Sequence, residues 1–447
     1  MIEQVVAETL RRHHTQGWLV GGTVRDRQVG RFSPDLDIVV DDDPRLVAEE
    51  IAASLGSPWF ALSTRHGAFR VMAAQGHVDV AALQGSGIEE DLGRRDFTVN
   101  AMAVPLPGGG LLDPFGGSMH LRQRRLVAVS DRIFRDDPLR LMRAARFCHV
   151  LGMHLEPALE GLLRREAGLV RQAAGERITT EMVLTLAEGR SAAAARLWSD
   201  LGLLAAVLPE ARPVGDFAAL ARLDGFLALP RLVLAPDTVG TLVERLNRPV
   251  DGVFTRRVAL RLVGLLGRLT HQEVTAVGRR LKLSGPVMSL LKTAAVCLVP
   301  DICSMDGLCA AARPGRPLIS FLWAAEPWEP EILLLAAAIV STGPARLEDH
   351  RSDLCIVPAP VRILFTAWAE REVHGVSPAP LDGNDLMALL GLAPGPVLGR
   401  TLREVRLAWE AGEASTREEL VQSARTALQD NHGIAARPLT AGTGDVG

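Results

Sequence analysis

Gly21 and Gly22 follow a short apolar run, Arg25 comes three residues later, and Asp35 and Asp37 stand two apart a little further on. Glycine lets the backbone come close to a phosphate, and the turn that follows can aim N–H groups at the anion. Carboxylates at positions i and i+2 of a strand point to one side, which leaves Leu36 and Ile38 facing a core. Paired carboxylates can hold magnesium ions, and two such ions can activate a 3′-hydroxyl and steady a leaving pyrophosphate. A lone D-x-D is more often a solvated strand end, and a lone Gly-Gly is usually a turn. The joint spacing from Gly21 to Asp37 is what favours the chemical reading. Asp79, in HVDVAAL, alternates with Val78 and Val80 and so lies on the polar face of a strand. It is either a third carboxylate turned to the same metals or a plain surface aspartate.

Three further clusters carry charge in patterns that suit a nucleotide. Arg94 and Arg95 are adjacent and can neutralise a triphosphate, while Asp96 can accept from a ribose hydroxyl; a solvated charge cluster is the plainer alternative. Asp113-Pro114-Phe115-Gly116-Gly117 reads as a turn. In DDPLRLMRAARF, Asp136 or Asp137 caps a helix with Pro138 in its first turn. Arg140, Arg143 and Arg146 then step along one ridge of that helix. Asp137 offers an acceptor beside the two-donor fork of Arg140, a pair that can match the hydrogen-bonding edge of cytosine or adenine; a capped surface helix with ordinary arginines competes with this. Glu176, Arg177 and Glu181 at helical spacing read as a brace for the preceding helix.

The elements that must position these groups change character along the chain. Ile2, Val5, Val6 and Leu10 make one helical face, and residues 18–20, 36–40, 68–72 and 78–83 read as short strands. From about Pro138 onward, Leu, Ala and Arg at helical spacing dominate and strand signals nearly vanish. Pro/Gly joints fall near 209–215, 312–317 and Pro378. The expected organisation is a small α/β head over 1–125, a helical neck over 126–190, a helical body over 191–375, a helical tail over 376–430 and a frayed end over 431–447. With 447 residues there is ample chain for a buried core. The net charge of −3 advertises no polyanionic partner, although nearly all the positive charge is Arg, with Lys only at Lys282 and Lys292. No apolar run reaches the roughly 18 residues of a membrane span, and the longest, around Ile332 to Val340, suits a buried helix. The N-terminus has no signal-like apolar region. Cys148, Cys297, Cys303, Cys309 and Cys355 lack zinc-site spacing and read as reduced core residues of a cytoplasmic protein.

Taken in order, LVGGTVRD at 19–26, DLDIVV at 35–40, RRDFTVNAMA at 94–103, DPFGG at 113–117, DDPLRLMRAARF at 136–147 and ERITTE at 176–181 resemble the five motifs of the class II tRNA nucleotidyltransferase and bacterial poly(A) polymerase family. PLDGNDLMALLGLAPGPVLGRTL at 380–402 is similar to the tail segment of CCA-adding enzymes, which helps hold the tRNA, and RHGAFRVM at 65–72 looks more like CCA-adding relatives than poly(A) polymerases. The resemblance implies a nucleotidyltransferase head followed by an all-α neck, body and tail. It implies magnesium at Asp35 and Asp37, and nucleotide contacts from Gly22, Arg25, Arg95, Arg143 and Arg146. It also implies a base-reading pair at Asp137 and Arg140, and transfer from CTP and ATP to the tRNA 3′ end with pyrophosphate released. Two departures stand out. Asp136 replaces the usual Glu. Only residues 80–93 separate Asp79 from Arg94, where CCA-adding relatives carry a longer flexible loop and CC-adding enzymes a shortened one. The stretch 256–272 lacks the His-Asp pair of a phosphohydrolase site. The alternative is a poly(A) polymerase, which shares every catalytic residue, or an A-adding enzyme; a non-catalytic RNA-binding relative would be expected to have lost Asp35, Asp37 or Arg95.

Overall fold

The computed structural model describes residues 2–63, 67–212, 217–232, 236–342 and 357–435. Arg65 and His66 of the RHGAFRVM stretch, part of the 209–215 joint, Cys355 and residues 436–447 of the expected frayed end therefore lie outside the described residues. Chain contacts define two compact units, one of residues 1–188 with 193–209, the other of 189–192 with 210–447. The small mixed sheet expected for the head is present, followed by a helical remainder.

In the first unit, α1 (Ile2–His13) leads into β1 (Gly17–Val20), α2 (Gly21–Gln28), β2 (Leu36–Val40), α3 (Pro44–Leu55), β3 (Trp59–Ser63), β4 (Ala68–Ala73), β5 (Gly76–Ala82), α4 (Ile88–Gly93) and β6 (Ala103–Leu106). The strands form one sheet in the order β3-β4-β5-β2-β1-β6. Only β2 and β5 run parallel, and their register sets Asp37 opposite Asp79. Strand alternation divides β2 between two faces. Leu36, Ile38 and Val40 pack under Val6, Leu10, Val47 and Ile51 of α1 and α3, where full burial of each aliphatic side chain contributes about 1.5–3 kcal/mol. Val39 faces the other way, onto Leu92 and Ala101, and Asp37 shares that parity. α3 is locally specified: Asp43 accepts from the N–H of Arg45, Pro44 opens the helix and Gly56 closes it in the left-handed region.

The sheet has two strands that the sequence pattern did not mark. β3 is an edge strand whose residues are half-exposed to exposed throughout, so it carries no alternation. β6 contains Pro105 and lies at the opposite edge, the place where a missing ladder N–H is tolerated.

Beyond the sheet come α5 (Gly117–Arg122), α6 (Ile133–Asp136), α7 (Arg140–Leu151), α8 (Pro157–Glu166) and α9 (Gly175–Ala187). The DPFGG turn has a defined purpose. Asp113 accepts from the N–H groups of Gly117 (2.6 Å) and Ser118 (2.9 Å), and a Cβ at Gly117 would lie 2.1 Å from the Thr98 carbonyl oxygen. Only glycine lets α5 approach the 3₁₀ turn Thr98–Asn100. Regular helix in α7 starts at Arg140, later than the sequence suggests; Asp137 to Leu139 form a tight turn ahead of it. Of the two candidate caps, Asp137 accepts from the Leu139 N–H (3.1 Å), while Asp136 ends α6.

The second unit is helical, with proline in the first turn of six of its described helices. Helix Glu329–Val340 is buried from Pro330 to Ala338, as its apolar run suggested, and among the described residues no helix is long and apolar enough to cross a membrane. Its buried Glu331 pairs with Arg256, whose guanidinium lies 4.5 Å from the centroid of the Trp328 ring. The last helices, Gly383–Leu390, Pro396–Glu410 and Arg417–Ala435, share a small core of Leu381, Leu386, Val405, Ala408 and Leu420. His271, the lone histidine of 256–272, is exposed. Cys297 and Cys303 are buried and Cys148 half-buried, but Cys309 is exposed and departs from the core reading.

Candidate active site

A cleft of about 460 Å³ in the first unit gathers Gly21, Gly22, Arg25, Asp37, Arg95, Asp96, Asp137, Arg140, Arg143 and Arg146, ten of the residues singled out from sequence. Asn100, Phe147 and Arg177 complete its lining. Six arginines and three aspartates line it. That balance suits a triphosphate.

The phosphate-facing end begins where β1 passes directly into α2. Gly21 has φ +65°, and a Cβ there would meet Arg95 Nη1 at 3.1 Å and Asp37 Oδ2 at 3.6 Å, so glycine is what lets these side chains close over the backbone. No side chain caps the first N–H groups of α2, which leaves them as donors for an anion. Thr23 ties this helix to the strand beside it. Its hydroxyl donates to the Asp35 carbonyl (3.2 Å) and accepts from the Asp37 N–H (3.1 Å).

The three carboxylates differ in environment. Asp35 is half-exposed and its Oδ1 takes the N–H (3.1 Å) and ring Nδ1 (2.8 Å) of His77. Asp79 is held two-pronged by Arg70, at 2.7 Å through both oxygens, a partner supplied by the antiparallel β4–β5 register. Neither Asp35 nor Asp79 lines the cleft itself. Asp37 does, and burial first, then the charges of Asp79 and Asp35, push its carboxyl above the ordinary aspartate value against the opposing pull of Arg95 and His77. A divalent cation relieves that kind of crowding. Among the described residues no group of three or more His, Cys, Asp or Glu side chains forms a metal cage. Two carboxylates completed by phosphate oxygens are, however, a usual magnesium set, so Asp35 and Asp37 fit the ion.

The opposite wall is braced. Arg95 is anchored on the buried Asp91 through Nε (3.2 Å) and Nη2 (3.0 Å), which directs Nη1 over Gly21. Arg25 donates to Asn100 Oδ1 (2.8 Å), and Asn100 donates to Asp96 Oδ1 (2.9 Å). Arg143 donates to Asp96 Oδ2 (2.9 Å), and Arg146 to the buried Glu181 (2.6 Å). Phe147 lies beneath three guanidinium groups, those of Arg25, Arg143 and Arg146, at 5.5, 5.4 and 4.6 Å. Burial would raise the Asp96 carboxyl, but the Arg143 charge and the bonds from Asn100 and the Phe97 N–H outweigh it and hold it below the ordinary range. Both Asp96 oxygens are thereby engaged within the protein. Asp137 is paired with Arg177 (2.9 and 3.3 Å), and Arg140 donates to the Arg94 (2.8 Å) and Arg95 (3.4 Å) carbonyls. The brace expected of ERITTE is present in both halves, since Glu181 holds α7 while Arg177 holds the turn before it.

Segment 17–127 matches the family model of the poly A polymerase head domain, and 152–214 matches that of the probable RNA and SrmB-binding site of polymerase A. Over 421 residues the chain is 33% identical to a CC-adding tRNA nucleotidyltransferase of Geobacter sulfurreducens, with 92% of each chain covered. The chain belongs to the tRNA nucleotidyltransferase and poly(A) polymerase family. It is 34% identical over 421 residues to an A-adding tRNA nucleotidyltransferase of Deinococcus radiodurans, covering 90% of this chain and 93% of that one. Its fold matches that of a Thermotoga maritima CCA-adding enzyme complexed with tRNA, at a TM-score of 0.64 and 19% identity over 95% and 94% of the two chains. As a member of this family the protein is an RNA nucleotidyltransferase, and such enzymes generally use divalent metal ions. The family context gives the 80–93 stretch its interest. β5 ends at Ala82 and α4 starts at Ile88, so five residues, 83–87, connect them. They are tied down: the Gln84 N–H donates to Asp91 (3.1 Å), and the Ser86 N–H and hydroxyl donate to Glu90 (2.9 and 3.1 Å).

Proposed function

We propose that this enzyme adds the two cytidines of the tRNA 3′-CCA end from CTP, with pyrophosphate released, and stops there. The observation that carries the reading is the short, hydrogen-bonded connection 83–87 between β5 and α4. A pocket that must exchange a pyrimidine for a purine needs a segment free to rearrange, and this one is anchored to the helix carrying the acid that holds Arg95. Arg25, Arg95, Arg143 and Arg146 take the triphosphate, with the uncapped start of α2 as a further donor. Asp137 accepts from the exocyclic amine of the base and Arg140 donates to its ring acceptor, so the protein itself serves as template. Asp35 and Asp37 would hold magnesium, which would supply Lewis-acid activation of the primer hydroxyl and neutralisation of the leaving pyrophosphate. The rest of the catalysis is positioning by the braced arginine wall.

The test is incorporation of labelled CTP and ATP, singly and together, into tRNA transcripts ending before CCA, after C and after CC. Addition of C that halts after CC is the expected result. Completion to CCA sinks the loop argument. ATP use only on the CC end, or long A tracts on any RNA, assigns the enzyme to the A-adding or poly(A) branch. No incorporation at all leaves only the non-catalytic reading.

A further inference from the structure

β4 and β5 form the hairpin beside the carboxylates, and their register arranges charge in a row. Arg70 lies opposite Asp79, and Asp79 lies opposite Asp37 on β2. Residues directly opposite one another in a sheet share a face, so the three side chains follow one line across the strands, with Asp37 at the cleft end. Nε and Nη2 of Arg70 donate to the two Asp79 oxygens, each at 2.7 Å. His77 Nε2 stands 3.7 Å from the second of these oxygens.

The start of β5 treats Asp35 differently. A Cβ on Gly76, where φ is +118°, would lie 2.6 Å from the Pro34 carbonyl oxygen and 2.9 Å from Asp35 Oδ1. Glycine lets the strand close on Asp35, and both contacts from His77 then fall on Oδ1. Arg70, by contrast, engages both oxygens of Asp79. Its planar fork matches a carboxylate at two points and stays charged. The bond to Asp79, then the charges of Asp79, Asp35 and Asp37, raise the Arg70 pKa above the ordinary arginine value against the opposing effect of burial. The guanidinium is thus within electrostatic reach of all three acids.

We propose that Arg70 is a positioning residue that cancels Asp79, so that the metal is left to Asp35, Asp37 and the phosphate oxygens of the nucleotide and gains no third acid. The affinity of an oxygen-ligand site rises with its count of charged ligands. A freed Asp79 would add one negative charge a single strand away from Asp37. The clamp therefore keeps the site weak when empty of nucleotide and leaves the triphosphate to complete it. An ion pair that only ties β4 to β5 would have no bearing on metal affinity, and the two roles separate by experiment. The inference rests on the assignment of the metal to Asp35 and Asp37 made above, and not on which nucleotides are added.

Two full-length variants test it, Arg70→Met and Arg70→Met/Asp79→Asn. Binding of Mn2+, a paramagnetic stand-in for magnesium, is titrated by electron paramagnetic resonance on the nucleotide-free protein, alongside melting temperature. Arg70→Met should bind Mn2+ roughly tenfold more tightly than the wild type. The double variant removes both charges and should return to the wild-type affinity. The Mn2+ concentration that gives half-maximal nucleotide incorporation should fall in Arg70→Met and recover in the double variant. Lower melting temperatures with Mn2+ affinity unchanged in Arg70→Met overturn the proposal, because the pair is then structural only. Weaker Mn2+ binding in the double variant than in the wild type overturns it as well, since Asp79 would then serve the metal in spite of Arg70. The double variant leaves neither charge unpaired, so it decides the matter even if Arg70→Met fails to fold. An Asp37→Ala control that binds Mn2+ as the wild type does removes the metal assignment, and this inference with it. Addition of nucleotides other than C sinks the CC-adding reading alone.

Discussion

The sheet-borne side of the cleft and its helix-borne side handle charge in opposite ways. Asp35, Asp37 and Asp79 converge on adjacent strands, and the Asp37 carboxyl is raised by burial and by its two acidic neighbours. On the other side each of Arg25, Arg95, Arg143 and Arg146 has a fixed acceptor, and three of them share the Phe147 ring. One side thus concentrates negative charge, which a cation would relieve. The other is built before the nucleotide arrives, so little reorganisation remains for the reaction.

Removing a carboxylate breaks the first half of this contrast and gives the largest effect. Asp37→Ala should cost several kcal/mol of transition-state stabilisation, on the order of a thousandfold in kcat, with CTP binding by equilibrium dialysis largely retained; near-normal turnover would show that the acidic side is not where the chemistry lies. Asp96→Asn tests the second half through stability. It takes the Asp96 charge from Arg143, which keeps only its longer contact to Glu181 (3.7 Å), a loss of up to about 3 kcal/mol that chemical denaturation would measure. The pH dependence has a defined sign. The folded Asp96 pKa is depressed, so its contribution is complete above the unfolded aspartate value near ~3.9 and is lost as pH falls through the folded value. The acid limb of the stability profile should therefore be shallower in Asp96→Asn than in the wild type, and parallel limbs would remove Asp96 from the account.

Smaller changes sharpen the comparison. Phe147→Leu keeps the volume apolar but removes the π-face beneath three guanidinium groups. At ~0.5–2 kcal/mol for such contacts, KM for CTP should rise roughly 3- to 30-fold with little change in kcat; an unaltered KM would mean the hydrogen bonds alone hold the wall. Arg177→Ala frees Asp137 from a half-exposed pair worth no more than about 1 kcal/mol. The CTP-to-ATP incorporation ratio should shift by about fivefold or less, and a constant ratio would separate Arg177 from base choice.

What the sequence revealed followed from short-range periodicity. Arg140, Arg143 and Arg146 sit three apart on a helix, as their spacing predicted; of the two carboxylates only Asp37 is on β2 and lines the cleft, Asp35 lying just ahead of the strand. Long-range pairings were not predictable. The hold of Arg70 on Asp79 depends on the β4–β5 register, and that of Arg177 on Asp137 spans 40 positions. Asn100 and Phe147 each lie inside a quoted motif, but only the folded chain shows Asn100 linking Arg25 to Asp96 and Phe147 lying under three arginines.

The arginine lining of the active-site cleft also bears on how long the protein lasts. Any ligand that binds only the folded chain, a nucleotide triphosphate included, deepens its stability by mass action, by about 2.7 kcal/mol at a hundred times its dissociation constant. Resistance to heat and to proteolysis should therefore rise as CTP is added, which melting temperatures across a CTP series would show.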